Sequence, residues 1–240
     1  VQKALLNKFI KLCLWCCLLF IAIPFGIYFT AFLPLTTLPH NHYDVFGRFI
    51  AYQTHMYNYH STLQATHPFE SPWYQWPFDI RNVWYYGNYS ADSEGHIRTI
   101  SVLGNPLFFW ACVPATVYAF VRAVKRHSRT ALICVIGFLS AYLPWVLVPR
   151  CTFIYHYFTA VPFILIAFLI AYQRLEETAS LRRVVFTKGA VTLTVGRILL
   201  LACVLVHILM FIAFYPVLTG TLTTQNYANA LEWLPSWFFI

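Results

Sequence analysis

Charged residues are scarce in this sequence, and acidic residues are the scarcest. Asp, Glu, Lys and Arg make up 10% of the 240 residues, with 8 acidic residues against 16 basic ones. A soluble domain carries about 25% charged residues, so this composition excludes an ordinary soluble fold. Hydrophobic residues make up 60% and the mean hydropathy is +0.62, which predicts an integral membrane protein.

The sequence also lacks an initiator Met, a signal-peptide cleavage site after its first apolar run, and paired cysteine spacing. Its seven cysteines lie within or beside apolar runs, without the spacing of a zinc site or a disulfide framework. We therefore expect small lipid-facing or core cysteines. Because neither a Met nor a cleavable leader opens the chain, we expect a C-terminal fragment of a longer polypeptide.

Five apolar runs approach or reach the roughly 20 residues that a membrane-spanning helix requires. They occupy residues 10–35, 106–121, 131–148, 153–171 and 198–217. The predicted fold is all-α and integral to the membrane, with five transmembrane helices. The predicted organisation is a transmembrane helix at 1–35 from the preceding part of the polypeptide, an extracytoplasmic loop at 36–103, and a four-helix C-terminal membrane domain at 104–240.

Lys and Arg are distributed unevenly between the connecting segments. With a cytoplasmic N-terminus, twelve of the 16 basic residues lie inside, leaving Arg48, Arg81, Arg98 and Arg150 outside. This bias predicts a multi-pass cell-membrane protein with a cytoplasmic N-terminus and an extracytoplasmic C-terminus. Basic loops beside anionic membrane lipids account for the net charge of +8 without nucleic acid as a partner.

The long loop has its own predicted structure. Apolar residues after Asp44 recur three and four positions apart, as on one face of an amphipathic helix at the outer membrane surface, and Asp44 suits its start. "NVWYYGNYS" and "HIRTISVL" predict a small hairpin, and Asn105 with Pro106 predicts the start of the next membrane helix. The final "WLPSWFFI" is expected to be an aromatic anchor at the interface.

Aromatic residues concentrate in the outer half of this topology, where seven of the eight tryptophans fall. An interfacial aromatic belt accounts for any one of them. Three that cluster in the loop also suit the flat apolar faces of sugar rings. The candidate acceptor- or sugar-binding residues are Trp73, Trp76, Arg81, Trp84, His60 and His67. The loop histidines lack metal-ligand spacing, so we expect neither a metal site nor a cofactor.

"VPRCTFIYHYFTAVPF", residues 148–163, places Arg150 and His156 between two membrane spans. An arginine at this depth is costly without an anionic partner. One interpretation is an interfacial side chain that extends its charge to water. The other is a clamp on a lipid phosphate, whose oxygens match the guanidinium fork. The candidate lipid-phosphate-binding residues are Arg150, Tyr155 and His156.

The outer carboxylates give a weaker signal. Asp44, Glu70 and Asp79 are available on that side as a general base, but no pair has convincing spacing. Asp44 is better explained as the start of the loop helix.

Three stretches in order carry a family resemblance: "MYNYHSTLQATHPFESPWYQWPFDIRNVWYY", "LGNP" and "PRCTFIYHYFTAVPF". From about Tyr43 onward the chain resembles the C-terminal four-helix membrane domain of the dolichyl-phosphate-mannose protein mannosyltransferases, a family of GT-C glycosyltransferases. The loop is too short for the large insertion, called MIR, of the eukaryotic members, so the resemblance is to a bacterial-type member.

The resemblance implies transfer of mannose from a polyprenyl-phosphate donor to Ser or Thr hydroxyls of a protein at the outer face. The implied partners are that donor, the protein acceptor, membrane lipids and the N-terminal half of the same enzyme, which carries the family's catalytic acidic residue. The alternative is another lipid-linked-sugar GT-C enzyme acting on a lipid or cell-wall polymer. A transporter or non-catalytic scaffold fits less well, because no charged residue lies near the middle of a span.

Overall fold

The structure is a computed structural model that describes residues 2–37, 44–88, 95–189 and 191–240. It divides into two compact units, residues 1–63 and 64–240. The described residues include five helices that are long and apolar enough to cross a membrane: Lys3–Leu35, Pro106–Lys125, Arg129–Leu147, Ile154–Glu176 and Val195–Thr219. The predicted all-α membrane fold is confirmed. The predicted boundaries at residues 35 and 103 remain predictions.

The first unit contains one long helix and one shorter one. The long helix comprises α1 (Gln2–Cys17), a π-helical turn (Leu18–Ala22) and α2 (Ile23–Thr30), followed by a 3₁₀ turn at Leu33–Thr37. The π turn ends two residues before Pro24, whose missing amide hydrogen interrupts the regular hydrogen-bond ladder.

The predicted loop helix is present in this first unit as α3 (Val45–Thr62). Its start is as predicted, because an Asp44 carboxylate oxygen accepts a hydrogen bond of 2.7 Å from the Gly47 amide. On its apolar face Phe49 is buried, with its ring centroid 5.2 Å from that of Phe32. Tyr52 and Tyr59 on the same face are exposed. The placement of this helix on a membrane surface remains a prediction.

The second unit is built on four membrane helices. They are α4 (Pro106–Lys125), α5 (Arg129–Tyr142) with a 3₁₀ extension at Leu143–Leu147, α6 (Val161–Glu176) with a preceding 3₁₀ turn at Ile154–Ala160, and α8 (Val195–Thr219). The buried residues of one core between α4, α5 and α6 include four alanines, Ala119, Ala123, Ala131 and Ala167. Small side chains let membrane helices approach closely, which explains this packing.

Successive spans alternate in direction, so the connecting segments gather at two ends. We call the end formed by residues 64–105, 148–153 and 220–240 the aromatic end, and the end formed by residues 126–128 and 177–194 the basic end. The basic end carries a short helix, α7 (Ala179–Arg182), and an antiparallel hairpin that the sequence analysis did not predict. Its strands are Val184–Lys188 and Val191–Thr194.

The predicted hairpin of the loop is confirmed at the aromatic end. Its strands are β1 (Val83–Asn88) and β2 (His96–Val102), which pair antiparallel, and residues 89–94 of its turn lie outside the described residues. A two-residue strand, Thr223–Thr224, extends β2 on its other edge, and a short helix follows at Gln225–Ala230. The loop and the C-terminal segment therefore share one sheet.

The C-terminal "WLPSWFFI" is only partly buried: Trp233 and Phe238 are exposed, as expected of an interfacial anchor, but Trp237 and Phe239 pack inside the protein. Trp237 and Phe239 are buried in a core with Phe214 of α8. The Asn82 side chain donates to the Phe238 carbonyl (2.5 Å) and accepts from the Phe238 amide (2.9 Å). A buried side-chain amide thus satisfies both backbone groups of one residue, as a neighbouring strand would. This pairing holds the chain terminus against the loop.

Candidate functional site

The turn at residues 148–153 connects two spans at the aromatic end and carries Arg150. Two hydrogen bonds fix it to the loop: the Ser71 amide donates to the Thr152 carbonyl (2.8 Å), and the Thr152 hydroxyl donates to the Ser71 carbonyl (2.9 Å). Ser71 and Thr152 are both buried. A third link is the hydrogen bond from the Tyr142 hydroxyl to the Trp73 carbonyl (2.7 Å). These hydrogen bonds therefore hold the turn and the end of α5 against the loop.

Arg150 is half-buried in this turn. Within the described part of the chain it has neither an ion pair with a carboxylate nor a hydrogen bond to another residue. Its charge interacts with the side chains of Tyr155 and His156. An arginine that is partly withdrawn from water and lacks an anionic partner is a favourable place for a ligand anion. The predicted proximity of the three phosphate-site residues is present.

His156 directs one ring nitrogen to its own backbone turn. Nδ1 lies 3.1 Å from the Phe153 amide nitrogen and 2.9 Å from the Phe153 carbonyl oxygen. It accepts from the amide in one tautomer and donates to the carbonyl in the other. Nε2 has no hydrogen-bond partner in the ranges that the structure describes. When Nδ1 accepts, Nε2 carries the hydrogen and is available to a ligand.

Aromatic rings enclose the His156 imidazole. Its centroid lies 4.0 Å from that of Trp145 and 4.5 Å from that of Tyr155. Tyr155 is exposed, and its hydroxyl lies close enough to Tyr85 of β1 to influence the ionisation of that residue. Burial raises the pKa of Tyr85, and the neighbouring Tyr155 adds to this effect. Tyr85 is not among the predicted site residues, because only the fold of the hairpin brings it near Tyr155.

Trp76 is a correction to the predicted acceptor-binding set. Its side chain is 0% exposed and belongs to the core. The indole N–H donates to the carbonyl and the hydroxyl of Ser71, both at 3.0 Å. Its ring packs edge-on against Tyr142 and Trp145. No face of this ring is open to a sugar. Trp76 is therefore a core residue that packs against the segment preceding the Arg150 turn.

Three other members of the predicted acceptor-binding set gather around residues 67–69. His67 is exposed, and its ring lies 5.1 Å from that of Phe153. A guanidinium nitrogen of Arg81 donates to the Pro68 carbonyl at 2.8 Å. Trp84 packs against Phe69 at 6.1 Å, and its indole N–H donates to the Thr99 hydroxyl at 2.9 Å. These three residues form a half-exposed surface beside the Arg150 turn, and we call it the loop face.

The remaining two members of that set lie elsewhere. Trp73 is half-buried and packs against Tyr74 and Tyr142. His60 lies on α3 in the first unit and stacks edge-on against Tyr59. The structure therefore brings part of the predicted set together rather than all of it.

The outer carboxylates are occupied in structural roles. Asp79 is fully buried in a left-handed backbone conformation, with φ of 53°. One of its oxygens accepts from the Gly104 amide at 3.2 Å, and burial raises its pKa to about 7 although this hydrogen bond opposes the shift. Glu70 accepts from the His67 amide at 3.3 Å. No group of three His, Cys, Asp or Glu residues in the described ranges could hold a metal ion.

The arrangement is suited to holding an anion. A cationic fork lies on the Arg150 turn, and an available imidazole N–H and a tyrosine hydroxyl lie on the 3₁₀ turn that follows it, beside the half-exposed loop face. Such a turn can stabilise negative charge that develops on a phosphate leaving group. Within the described residues, the segment 148–156 that carries these three groups contains no carboxylate that could accept a proton from an incoming hydroxyl.

Comparison with known proteins identifies relatives among membrane glycosyltransferases. The chain is 25% identical over 195 residues to the polyprenol-phosphate-mannose–protein mannosyltransferase of Mycobacterium tuberculosis, covering 78% of this chain and 36% of that protein. The equivalent protein of Corynebacterium glutamicum is 26% identical over 196 residues, with the same coverage. Dolichyl-phosphate-mannose–protein mannosyltransferase 1 of Saccharomyces cerevisiae is 24% identical over 210 residues, covering 80% and 24%. The chain thus spans about a third of the length of the bacterial relatives that it matches.

The fold is also similar to a solved structure, that of the S. cerevisiae protein O-mannosyltransferase Pmt1–Pmt2 complex bound to the sugar donor. The TM-score is 0.64 and the sequence identity is 21%, covering 84% of this chain and 28% of that one. The family model described as the C-terminal four TMM region of protein-O-mannosyltransferase matches residues 45–237. This match includes the hairpin, the Arg150 turn and all four spans of the second unit, so the chain belongs to the protein-O-mannosyltransferase family.

Proposed function

We propose that this chain forms the C-terminal membrane part of a protein O-mannosyltransferase that takes mannose from a polyprenyl-phosphate carrier and transfers it to Ser or Thr hydroxyls. The observation that carries this proposal is the family match over residues 45–237. Three of the relatives are named for a polyprenol- or dolichyl-phosphate-mannose donor and a protein acceptor.

In the proposed reaction the acceptor oxygen attacks C1 of the mannose. The bond between C1 and the phosphate oxygen breaks, its electron pair leaves on the polyprenyl phosphate, and the hydroxyl proton passes to a base. The phosphate gains negative charge as this bond breaks, so the main electrostatic task is to stabilise it. Arg150 performs this task in our proposal, with Nε2 of His156 and the Tyr155 hydroxyl as further donors.

The base comes, in this proposal, from the part of the relatives that this chain does not cover. Asp79 is unsuitable because it is fully buried. The loop face of His67, Arg81 and Trp84 is proposed to contact the sugar or the acceptor, since it lies beside the turn. We place the aromatic end outside the cell. Lys and Arg residues concentrate at the basic end, and loops rich in these residues stay on the cytoplasmic side of a membrane.

Donor and acceptor specificity test the proposal. The protein, purified at its natural length, is incubated with radiolabelled polyprenyl-phosphate-mannose or with GDP-mannose, and with a Ser/Thr peptide or its Ala counterpart. We expect label in the Ser/Thr peptide from the lipid-linked donor alone. Transfer from GDP-mannose, or transfer of mannose only to a lipid or a polysaccharide, would contradict the proposed function.

A further inference from the structure

At the basic end, a cavity of about 430 Å³ opens between α4 and α6. Four cationic side chains line it: Arg122, Lys125, Arg126 and Arg174. One carboxylate is present, that of Glu177, which accepts a 2.7 Å hydrogen bond from Arg174. This hydrogen bond and the nearby charge of Arg122 help to lower the pKa of Glu177. The cavity therefore retains an excess of positive charge after this internal pairing.

The cavity adjoins an apolar groove of about 290 Å³ between the same two helices. Tyr118 and Arg174 line both, so the two spaces meet. The groove walls are mostly apolar and include Pro114, Phe168 and Ala171. Tyr172 also lines the groove, and its buried hydroxyl has no hydrogen-bond partner in the described part of the chain. A charged cavity that continues into an apolar groove along a membrane helix has the amphipathic shape of a lipid.

We infer that this cavity and groove form a binding site for an anionic glycerophospholipid. Its phosphate headgroup lies among Arg122, Arg126 and Arg174, and one acyl chain lies along the groove. Basic loop residues at a membrane surface usually attract anionic lipids without a defined site. Here the cations surround a concave space at the level where a span ends, and the adjoining groove explains selectivity for a lipid over a soluble anion. The inference does not depend on the proposed transferase activity.

Lipid titration monitored by native mass spectrometry tests the site. The protein, purified at its natural length in detergent, is titrated with dioleoyl phosphatidylglycerol or dioleoyl phosphatidylcholine. Each basic residue near an anionic headgroup contributes about 1 kcal/mol, so we expect binding of phosphatidylglycerol to be tighter by about tenfold or more. Glycerol 3-phosphate, which has the charge but no acyl chains, should compete only weakly.

Paired variants separate the site from general surface charge. Arg122→Gln with Arg126→Gln should bring the two affinities to within about twofold of each other. The matched control, Arg183→Gln with Lys188→Gln, removes the same charge from exposed positions of the same end that do not line the cavity. It should keep the selectivity. Equal binding of both lipids to the unmodified protein, equal loss in both double variants, or full competition by glycerol 3-phosphate would each overturn the inference. Thermal melting of each variant verifies that it is folded.

Discussion

The imidazole of His156 stacks on the buried indole of Trp76, with ring centroids 5.9 Å apart and planes inclined by 21°. One ring belongs to the 3₁₀ turn at Ile154–Ala160, directly after the Arg150 turn, and the other to the 3₁₀ turn at Trp73–Phe78, which precedes β1. The stack therefore connects the proposed phosphate-binding residues to the core of the protein. A side chain that packs on a fully buried neighbour loses less freedom when it binds a ligand.

Trp76→Phe should lower stability and leave acceptor recognition unchanged. The variant removes the indole N–H that serves two oxygens of Ser71 and reduces the buried ring volume, at a cost of about 1–3 kcal/mol. The melting temperature in detergent should fall, while the acceptor KM of the folded fraction stays near the unmodified value. Trp84→Phe is the control on the loop face and should raise that KM. A raised acceptor KM in Trp76→Phe, without loss of stability, would restore Trp76 to the acceptor surface.

Asn82→Ala should release the C-terminal segment. The Phe238 amide loses its acceptor, while the Phe238 carbonyl keeps only the longer bond from Ser101; an unsatisfied buried group costs about 1–3 kcal/mol. We expect a large fall in melting temperature and rapid proteolysis after residue 230. Ser101→Ala is the matched control, because Ser101 is also buried but donates a single 3.3 Å hydrogen bond to the same carbonyl. Similar stabilities of the two variants would show that the Asn82 pairing contributes little.

Asp79→Asn should remove a pH dependence of stability. The pKa of Asp79 rises from 3.8 to about 7 on folding, mainly because burial disfavours the charged carboxylate. The folded state therefore holds this proton more tightly, and the associated stabilisation is lost as pH rises from about 4 through about 7. Its size is on the order of 4 kcal/mol.

Asparagine stays neutral and keeps the oxygen that accepts from Gly104. The variant should melt higher than the unmodified protein at pH 8 and similarly at pH 4.5. All other titrating groups are common to the two proteins. If their melting temperatures changed with pH in the same way across this range, the raised pKa of Asp79 would be contradicted.

Cysteine labelling tests the proposed orientation. In a background without native cysteines, Thr66→Cys at the aromatic end and Lys188→Cys at the basic end both occupy exposed positions. An impermeant maleimide added to intact cells should label Thr66→Cys alone, and Lys188→Cys only after permeabilisation. The reverse pattern would show that the orientation is opposite to the proposed one. Labelling of both positions in intact cells would show that the two ends do not lie on opposite sides of the membrane.

Local sequence signals were sufficient for much of this fold. The five spans follow from hydropathy, and the starts of α3 and α4 follow from Asp44 and Asn105, because a cap needs only residues within one turn. The strands of the loop hairpin follow from β-branched and aromatic runs. These features depend on neighbours in sequence.

Long-range pairing could not be predicted in the same way. Trp76 and Trp84 have similar local surroundings in sequence, yet one is fully buried and the other half-exposed. The difference arises from contacts of Trp76 with Tyr142, Trp145 and His156, which are distant in sequence. The partnership of Asn82 with Phe238 spans 156 positions, and nothing near either residue indicates it. Arg150, Tyr155 and His156 lie within seven positions of one another, so their proximity follows from the sequence, while their role at a phosphate remains a prediction.

The proposed role of Arg150 is the central claim, and mannose transfer by Arg150 variants tests it most directly. Loss of a contact that stabilises the leaving phosphate costs roughly 2.7–4 kcal/mol, or about 10²- to 10³-fold in kcat, by analogy with an oxyanion-hole donor. Arg150→Ala should lose activity by this factor. Arg150→Lys keeps the charge without the bidentate fork and should remain strongly impaired. Arg98→Ala, on β2 at the same end, is the control and should stay near the unmodified rate. A folded, membrane-inserted Arg150→Ala protein that transfers mannose at close to the unmodified rate would show that Arg150 only places its charge at the membrane interface.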